Sequence, residues 1–251
     1  MEIVGSGFIA GALQAIAQRH PGVVALAAGE SRILPEYAPR DLAREAALVT
    51  EQARRCAATG ARLVYFSTAS AALYGTPGCS GTEECRHAPR TAYGRHKVAM
   101  EDLVRQSGCR WLILRLSHLV GPGMRPHQLV PSLVAQALAG QVRILRRASR
   151  DLLDVADFVA MTDAVLGAGV EGETVNVASG RSTEVDAIVD HVAALTGTDP
   201  VRRYVEETSR HSVSIERLRA LSARPWTFGE DYYKGVLDRS VGELLRVRSA
   251  L

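Results

Sequence analysis

The stretch that decides the fold opens the chain: Met1-Glu2-Ile3-Val4-Gly5-Ser6-Gly7-Phe8-Ile9-Ala10. A short apolar start runs directly into Gly5-x-Gly7-x-x-Ala10. Phe8, Ile9, Ala12, Leu13 and Ile16 then recur on one helical face, which predicts a helix over residues 8–19. A glycine-rich turn between strand and helix suits a phosphate group. The glycines let the backbone approach, and the helix start presents unpaired N–H groups. Any tight turn uses the same residues, so the pattern gains weight only from its position between a strand and a helix.

Outward from this turn the chain alternates. Pro21-Gly22 breaks the helix, and the unbroken apolar run Val23–Ala28 reads as a buried strand. Residues 40–58 are predicted as a long helix, Arg62–Ser67 as a strand, Ala92–Gln106 as a helix and Trp111–Leu116 as a strand. A loop rich in Gly, Ser and Thr spans Thr68 to about Arg90. Strands alternating with helices call for an α/β fold with a parallel sheet and right-handed crossovers. Beyond Gly121-Pro122-Gly123 the order loosens. Helices are predicted over Leu129–Leu138, Val155–Leu166 and Ser182–Thr196, and strands over Val142–Leu145 and Glu173–Ala178. The expected organisation is a nucleotide-binding domain over residues 1–120, to which 142–180 partly return, and a smaller lobe formed mainly by 121–251.

Composition excludes several classes. An apolar share of 47% in 251 residues provides for a real core. No apolar run approaches the ~18 residues of a membrane span. The first residues lack the basic start and cleavage pattern of a secretory signal, so a cytoplasmic location is expected. A net charge of +3 argues against nucleic-acid or membrane partners. Cys56, Cys79, Cys85 and Cys109 are expected as free thiols. Cys79, Cys85 and His87 make at most a partial metal site, because structural zinc takes four ligands, so no metal is expected. The basic residues are almost all Arg, and the only lysines are Lys97 and Lys234.

One of those lysines falls in Tyr93-Gly94-Arg95-His96-Lys97, one helical turn from Tyr93 on the same face. A phenol, with a reference pKa of about 10, is a poor acid near neutrality. A neighbouring ammonium favours the phenolate and makes the tyrosine a usable proton donor to a carbonyl undergoing reduction. Arginine, which does not present a compact ammonium, is no substitute. Ser67-Thr68-Ala69-Ser70 at a strand end supplies hydroxyls able to polarise the same carbonyl.

Together these pieces resemble the extended branch of the short-chain dehydrogenase/reductases, the NAD(P)-dependent epimerases, dehydratases and ketoreductases of nucleotide sugars. Gly5–Ala10 resembles the phosphate loop and Leu26-Ala27-Ala28-Gly29 the "LAA" strand end beside the cofactor. Phe66–Gly75 is similar to the strand with the catalytic Ser/Thr, and Tyr93 with Lys97 to the YxxxK pair. Leu114–Gly123, Arg150–Asp157 and Asn176–Gly180 resemble the "LR…GPG", "RD…VxD" and "NVxSG" segments. The resemblance implies a Rossmann-type sheet with helices on both faces and a small C-terminal substrate lobe. It also implies that Gly5, Ser6, Gly7, Phe8, Ile9, Ala27, Ala28, Gly29, Ser67, Tyr93, Lys97 and Leu116 hold NAD or NADP. Tyr93 would exchange the proton, Lys97 would assist it, and Thr68 or Ser70 would be the catalytic hydroxyl. Ser70, Tyr93, His118 and Arg150 would meet substrate, with Arg150 at its diphosphate.

Two departures shape the expected activity. The chain passes from the first helix straight to Val23–Ala28, so the family's second and third strands are missing, and with them the residue that reads the adenosine ribose. NAD and NADP stay unresolved, with NADPH favoured for a reduction. Thr68 is followed by Ala69-Ser70 rather than the Asp-Glu pair a sugar 4,6-dehydratase requires, which disfavours dehydration. The expected activity is reduction of a nucleotide-linked keto-deoxysugar, such as a dTDP-4-keto-6-deoxyhexose in natural-product (antibiotic) biosynthesis. An epimerase with tightly held NAD, or a non-catalytic member, are the alternatives. A nucleotide sugar is the expected partner, and a homodimer is compatible with the sequence.

Overall fold

The computed structural model describes residues 1–29, 38–76, 78–85, 89, 91–206 and 209–249. In chain order its first elements are β1 (Glu2–Val4), α1 (Phe8–Leu13), β2 (Val23–Leu26), α2 (Pro39–Thr59), β3 (Arg62–Thr68), α3 (Ala71–Tyr74), α4 (Ala92–Arg105), β4 (Arg110–Leu116) and β5 (His118–Val120). They are followed by α5 (Leu129–Leu138), β6 (Gln141–Leu145), β7 (Ser149–Asp154), α6 (Val155–Gly167), β8 (Glu173–Val177), β9 (Ser182–Glu184), α7 (Val185–Thr196), β10 (Val201–Val205), α8 (Glu216–Ser222) and α9 (Tyr232–Ser249).

Five strands form one parallel sheet in the order β1-β2-β3-β4-β8. Their apolar side chains alternate between two faces, as a strand's period of two dictates. Ala25, Val64, Phe66, Leu112 and Leu114 pack with Leu13 of α1 and Phe158, Met161 and Val165 of α6. Val24, Leu26, Leu63, Tyr65 and Ile113 pack with Val49, Ala53 and Cys56 of α2 and Met100 and Val104 of α4. Helices therefore cover both faces, and the central strands read as continuous apolar runs because neither side meets water. A third cluster joins α5, α7 and α9 to β6 and β7. There β10 pairs with β6, and β7 lies between β5 and β9.

The usual dinucleotide-binding order is 3-2-1-4-5-6, with the first strand flanked on both sides. Here β1 pairs with β2 and stands at the sheet's edge among the described residues. The absent second and third strands thus remove one wing of the sheet and leave the β1–β2 junction intact.

Several expectations are corrected. The helix predicted over 8–19 is α-helical only to Leu13 and tightens to a 3-10 helix over Gln14–Arg19. The helix predicted from Ser182 begins at Val185, because Ser182–Glu184 pair antiparallel with β7 instead. The loop after β3 contains α3, whose first turn is capped by Ser70. Cys79 and Cys85 are not free thiols. Turns closed by Cys79 N–H to Thr76 O and Cys85 N–H to Thr82 O fold the chain back, the two Cα atoms come within 5.7 Å, and a disulfide joins them. Cys56 and Cys109 are free and buried, and burial pushes the Cys56 thiol up to about 11. His87 lies outside the described residues. Among the described residues, no helix is long and apolar enough to cross a membrane.

Candidate active site

At the C-terminal ends of the parallel strands two adjoining cavities open, where ligands of open α/β sheets bind. The first, about 470 Å³, is lined by Ser67, Thr68, Ser70, Tyr93, Lys97, Leu116, Ser117, His118 and Arg150, among others. The second, about 590 Å³, is lined by Gly5–Ile9, Ala27–Gly29, Asp41, Arg44, Glu45 and Arg125, among others. Phe8, Ile9, Ala27, Gly29, His127 and Gln128 belong to both walls, so the two form one cleft. Every site residue named from the sequence lies on it.

The glycine-rich turn is shaped by close approach. Gly5 has φ +135°, and a Cβ there would sit 2.5 Å from Ala27 O, so only glycine lets β1 end against the chain leaving β2. The result is a cavity at the turn that shares walls with a second cavity holding Tyr93 and Lys97. Two joined cavities can take the two halves of a dinucleotide. Gly5–Ile9 and Ala27–Gly29 would hold its phosphate side, and Tyr93, Lys97 and Ser67 its reactive end.

The catalytic candidates come from two elements. Helix α4 starts with a cap, Gly94 N–H to Thr91 Oγ1 at 3.0 Å, and carries Tyr93 and Lys97 on one face. The Lys97 Nζ lies 5.8 Å from the Tyr93 ring centroid. From the end of β3, the Thr68 hydroxyl donates to Ser70 Oγ at 2.9 Å, and Ala72 N–H donates to the same oxygen at 3.3 Å. Thr68 has thus committed its proton to Ser70, whereas Ser70 accepts twice and retains its own. This separates two hydroxyls that the sequence leaves equivalent.

Ser67, Ser117, His118 and Arg150 line the inner cavity beside these groups, with Asp151 and His211 buried nearby. Among the described residues, Ser67 Oγ, Ser117 Oγ, His118 Nδ1, Asp151 Oδ2 and both ring nitrogens of His211 are buried with no hydrogen-bond partner. The His118 and His211 rings lie 6.4 Å apart. Burial, with Arg150 nearby, holds His118 well below the usual histidine range and His211 down to about 4, so both rings are neutral at pH 7. Burial raises Asp151 to about 6, although Ser179 N–H and Oγ donate to its Oδ1 at 2.9 and 3.0 Å. Asp154 pairs with Arg239, while Arg150 is held by backbone and hydroxyl oxygens. Its Nη1 donates to Ser149 O and to Ser209 O and Oγ at 2.7, 3.0 and 3.1 Å.

The neutral histidines carry a pH signature. His211 has a folded pKa below its unfolded value of about 6.5, so its contribution to stability is full above that value and falls away as pH drops toward about 4. Between pH 7 and pH 5 this costs about 2 kcal/mol, on the order of 5 °C in Tm for a chain of this size. His211→Gln is expected to remove most of that acid-side loss in paired thermal melts. Equal losses in the two proteins would show that the ring does not titrate in the folded state.

Sequence reading missed three buried neighbours of the candidate residues. His211 precedes α8 in a segment with no periodicity to mark it. Glu45 and Tyr65 sit beneath Lys97, and here a signal existed: Glu45, Val49, Ala53 and Cys56 share the buried stripe of α2, and a carboxylate on an apolar stripe wants a buried partner.

The family model for NAD dependent epimerase/dehydratase proteins matches residues 10–178. The chain belongs to that family. Among relatives of this epimerase/dehydratase chain, the dTDP-glucose 4,6-dehydratase of Xanthomonas campestris is 33% identical over 143 residues, which cover 53% of this chain and 40% of the dehydratase. The chain thus spans well under two thirds of that relative. RMD from Pseudomonas aeruginosa, solved with NADPH, superposes at a TM-score of 0.78 and 23% identity over 96% of this chain and 98% of that one. MoeE5 in complex with UDP-glucose and NAD gives 0.82 at 18% identity over 99% and 100% of the two chains. These likenesses show the Rossmann-type fold of the epimerase/dehydratase family at nearly full length.

Proposed function

We propose that the protein is an NAD(P)H-dependent reductase of a nucleotide-linked keto-deoxysugar, of the dTDP-4-keto-6-deoxyhexose class. The observation that carries this reading is the make-up of the inner cavity. It assembles Tyr93, Lys97, Thr68 and Ser70, and among its described lining residues there is no Asp or Glu. Reduction of a ketone requires a proton donor and a carbonyl polariser, both of which are present. Dehydration requires a further Asp-Glu acid/base pair, which neither Ala69-Ser70 nor the described lining of the inner cavity provides. The dehydratase chemistry of the Xanthomonas relative is therefore not carried over.

A nicotinamide held by Tyr93, Lys97 and Ser67 would supply hydride chemistry for the ketone carbon. Ser70 donates its hydroxyl hydrogen bond to the ketone oxygen, with Thr68 behind it. Tyr93 delivers its phenolic proton to that oxygen and is left as phenolate, which the Lys97 ammonium stabilises. Arg150 provides a planar cation for the substrate's diphosphate, and His118, held neutral with His211 packed behind it, presents its ring to the sugar. NADPH is the favoured reductant, as in the solved RMD complex. The strand after which the family reads the adenosine ribose is missing, so NADH belongs in every assay.

The test is NADPH and NADH oxidation followed at 340 nm with dTDP-4-keto-6-deoxyglucose and its UDP and GDP counterparts. Stoichiometric consumption of reduced cofactor with one of them is the expected result. Sugar interconversion without added reduced cofactor would make the protein an epimerase instead. Absence of NADPH and NADH binding by calorimetry would overturn the reading altogether.

A further inference from the structure

Beneath the cleft, one carboxylate gathers three partners. Glu45 Oε1 accepts from Lys97 Nζ at 3.0 Å and from the Tyr65 hydroxyl at 2.9 Å, while Oε2 lies 2.9 Å from His96 Nε2. The Tyr65 oxygen in turn accepts from Lys97 at 3.2 Å. The side chains of Glu45, His96 and Lys97 are at most 5% exposed. Gly29 roofs the pair: a Cβ there would lie 2.7 Å from Glu45 Oε1 and 2.9 Å from Lys97 Nζ. Lys97 reaches the inner cavity and Glu45 the outer one, so the ion pair bridges the two halves of the cleft.

We propose that Glu45 is the positioning residue of the Tyr93–Lys97 pair, fixing the ammonium between the two cavities and setting how much of its positive charge reaches Tyr93. The proposal rests on Tyr93 being the proton donor. An ammonium alone would pull the phenol strongly toward phenolate and leave it without its proton. With a carboxylate 3.0 Å from Nζ, part of that field is cancelled, and the phenol keeps a proton to give near neutrality. Among the described residues, the titratable groups facing the pair are Tyr65 from β3 and Tyr93 and His96 from α4. Burial keeps the Tyr65 phenol protonated, so it acts as a hydrogen-bond relay rather than a charge.

The test needs no substrate and no cofactor. Tyrosinate absorbance at 295 nm is titrated against pH in the wild type and in Tyr93→Phe, and the difference isolates the Tyr93 phenol. The same pair is measured on a Glu45→Gln background, which retains the hydrogen bonds and removes the charge. The Tyr93 midpoint is expected to fall by about one pH unit in Glu45→Gln. Coincident midpoints would overturn the proposal, even if Tyr93→Phe abolishes reductase activity. Conversely, a shifted midpoint alongside full activity of Tyr93→Phe would condemn the proton-donor reading alone. Should Glu45→Gln not fold, Glu45→Gln/Lys97→Met leaves no buried charge. A rise of less than about one unit over the wild type is then expected, because the carboxylate already cancels part of the ammonium's field, and any larger rise would refute it.

Discussion

Tyr93→Phe is expected to reduce turnover by about 10²–10⁴-fold while leaving NADPH affinity nearly unchanged. The substitution removes one oxygen from a side chain that is 8% exposed at the start of a capped helix. The ring and its contact with the Lys97 ammonium persist, so the cofactor-side wall stays in place. Only the proton delivered to the ketone oxygen is lost. Paired measurements of kcat by cofactor oxidation and of affinity by protein-fluorescence quenching separate the two effects. Unchanged kcat in the variant would remove Tyr93 from the mechanism.

The largest expected loss of stability lies one helical turn beyond Lys97. Glu101 is fully buried and receives a two-pronged bond from Arg115, Nε to Oε1 at 2.9 Å and Nη2 to Oε2 at 2.7 Å. Arg105 Nη2 adds a third donor at 2.7 Å. Arg115 Nη1 reaches the Tyr74 hydroxyl at 3.0 Å, and Tyr74 donates to Asn176 Oδ1 at 2.6 Å. The network thus ties α4, β4, β8 and the end of α3 together under the catalytic loop. Removing one partner of a buried pair strands the other charge, so Glu101→Ala is expected to cost about 3–5 kcal/mol, on the order of 10 °C in Tm. Glu101→Ala/Arg115→Met, which removes both charges, is expected to recover a large part of that loss in thermal melts.

The pH dependence of this effect has a definite sign. Burial alone would raise the Glu101 pKa, but the Arg115 hydrogen bonds and charge outweigh it and hold the carboxyl below its ordinary value. Its contribution is therefore present above the unfolded pKa of about 4.3 and is lost as pH falls through the lower folded value. The gap between wild type and Glu101→Ala is expected to narrow below about pH 4 and to stay constant above pH 6.

Tyr93, Lys97 and Glu101 stand at i, i+4 and i+8 of the same helix, yet only the first two were legible in the sequence. The Tyr93–Lys97 pair announces itself because its chemistry depends on a local spacing, and because a chain with two lysines among 30 basic residues places one of them there. Glu101 looks like any helix-surface carboxylate, and Glu45 like one end of a solvated helix. What distinguishes them is a partner far along the chain: Arg115 on β4 for the one, and Lys97 on α4, 52 residues away, for the other. Strand β1 behaves similarly. That two strands are missing could be read from the chain's direct passage to Val23, whereas its consequence, an edge position for β1, is a property of sheet order.

The sequence by itself therefore determined the α/β alternation, the glycine-rich turn, the Tyr93–Lys97 pair and the missing wing of the sheet. Each of these is written in local spacing or in the order of elements along one chain. Only the tertiary structure decided which hydroxyl retains its proton, what binds Lys97, and which residues line the cleft. It also decided that Cys79 and Cys85 are joined. Those outcomes depend on burial and on pairings between distant segments, and a buried charge or hydroxyl takes its behaviour from the partner that packing brings to it.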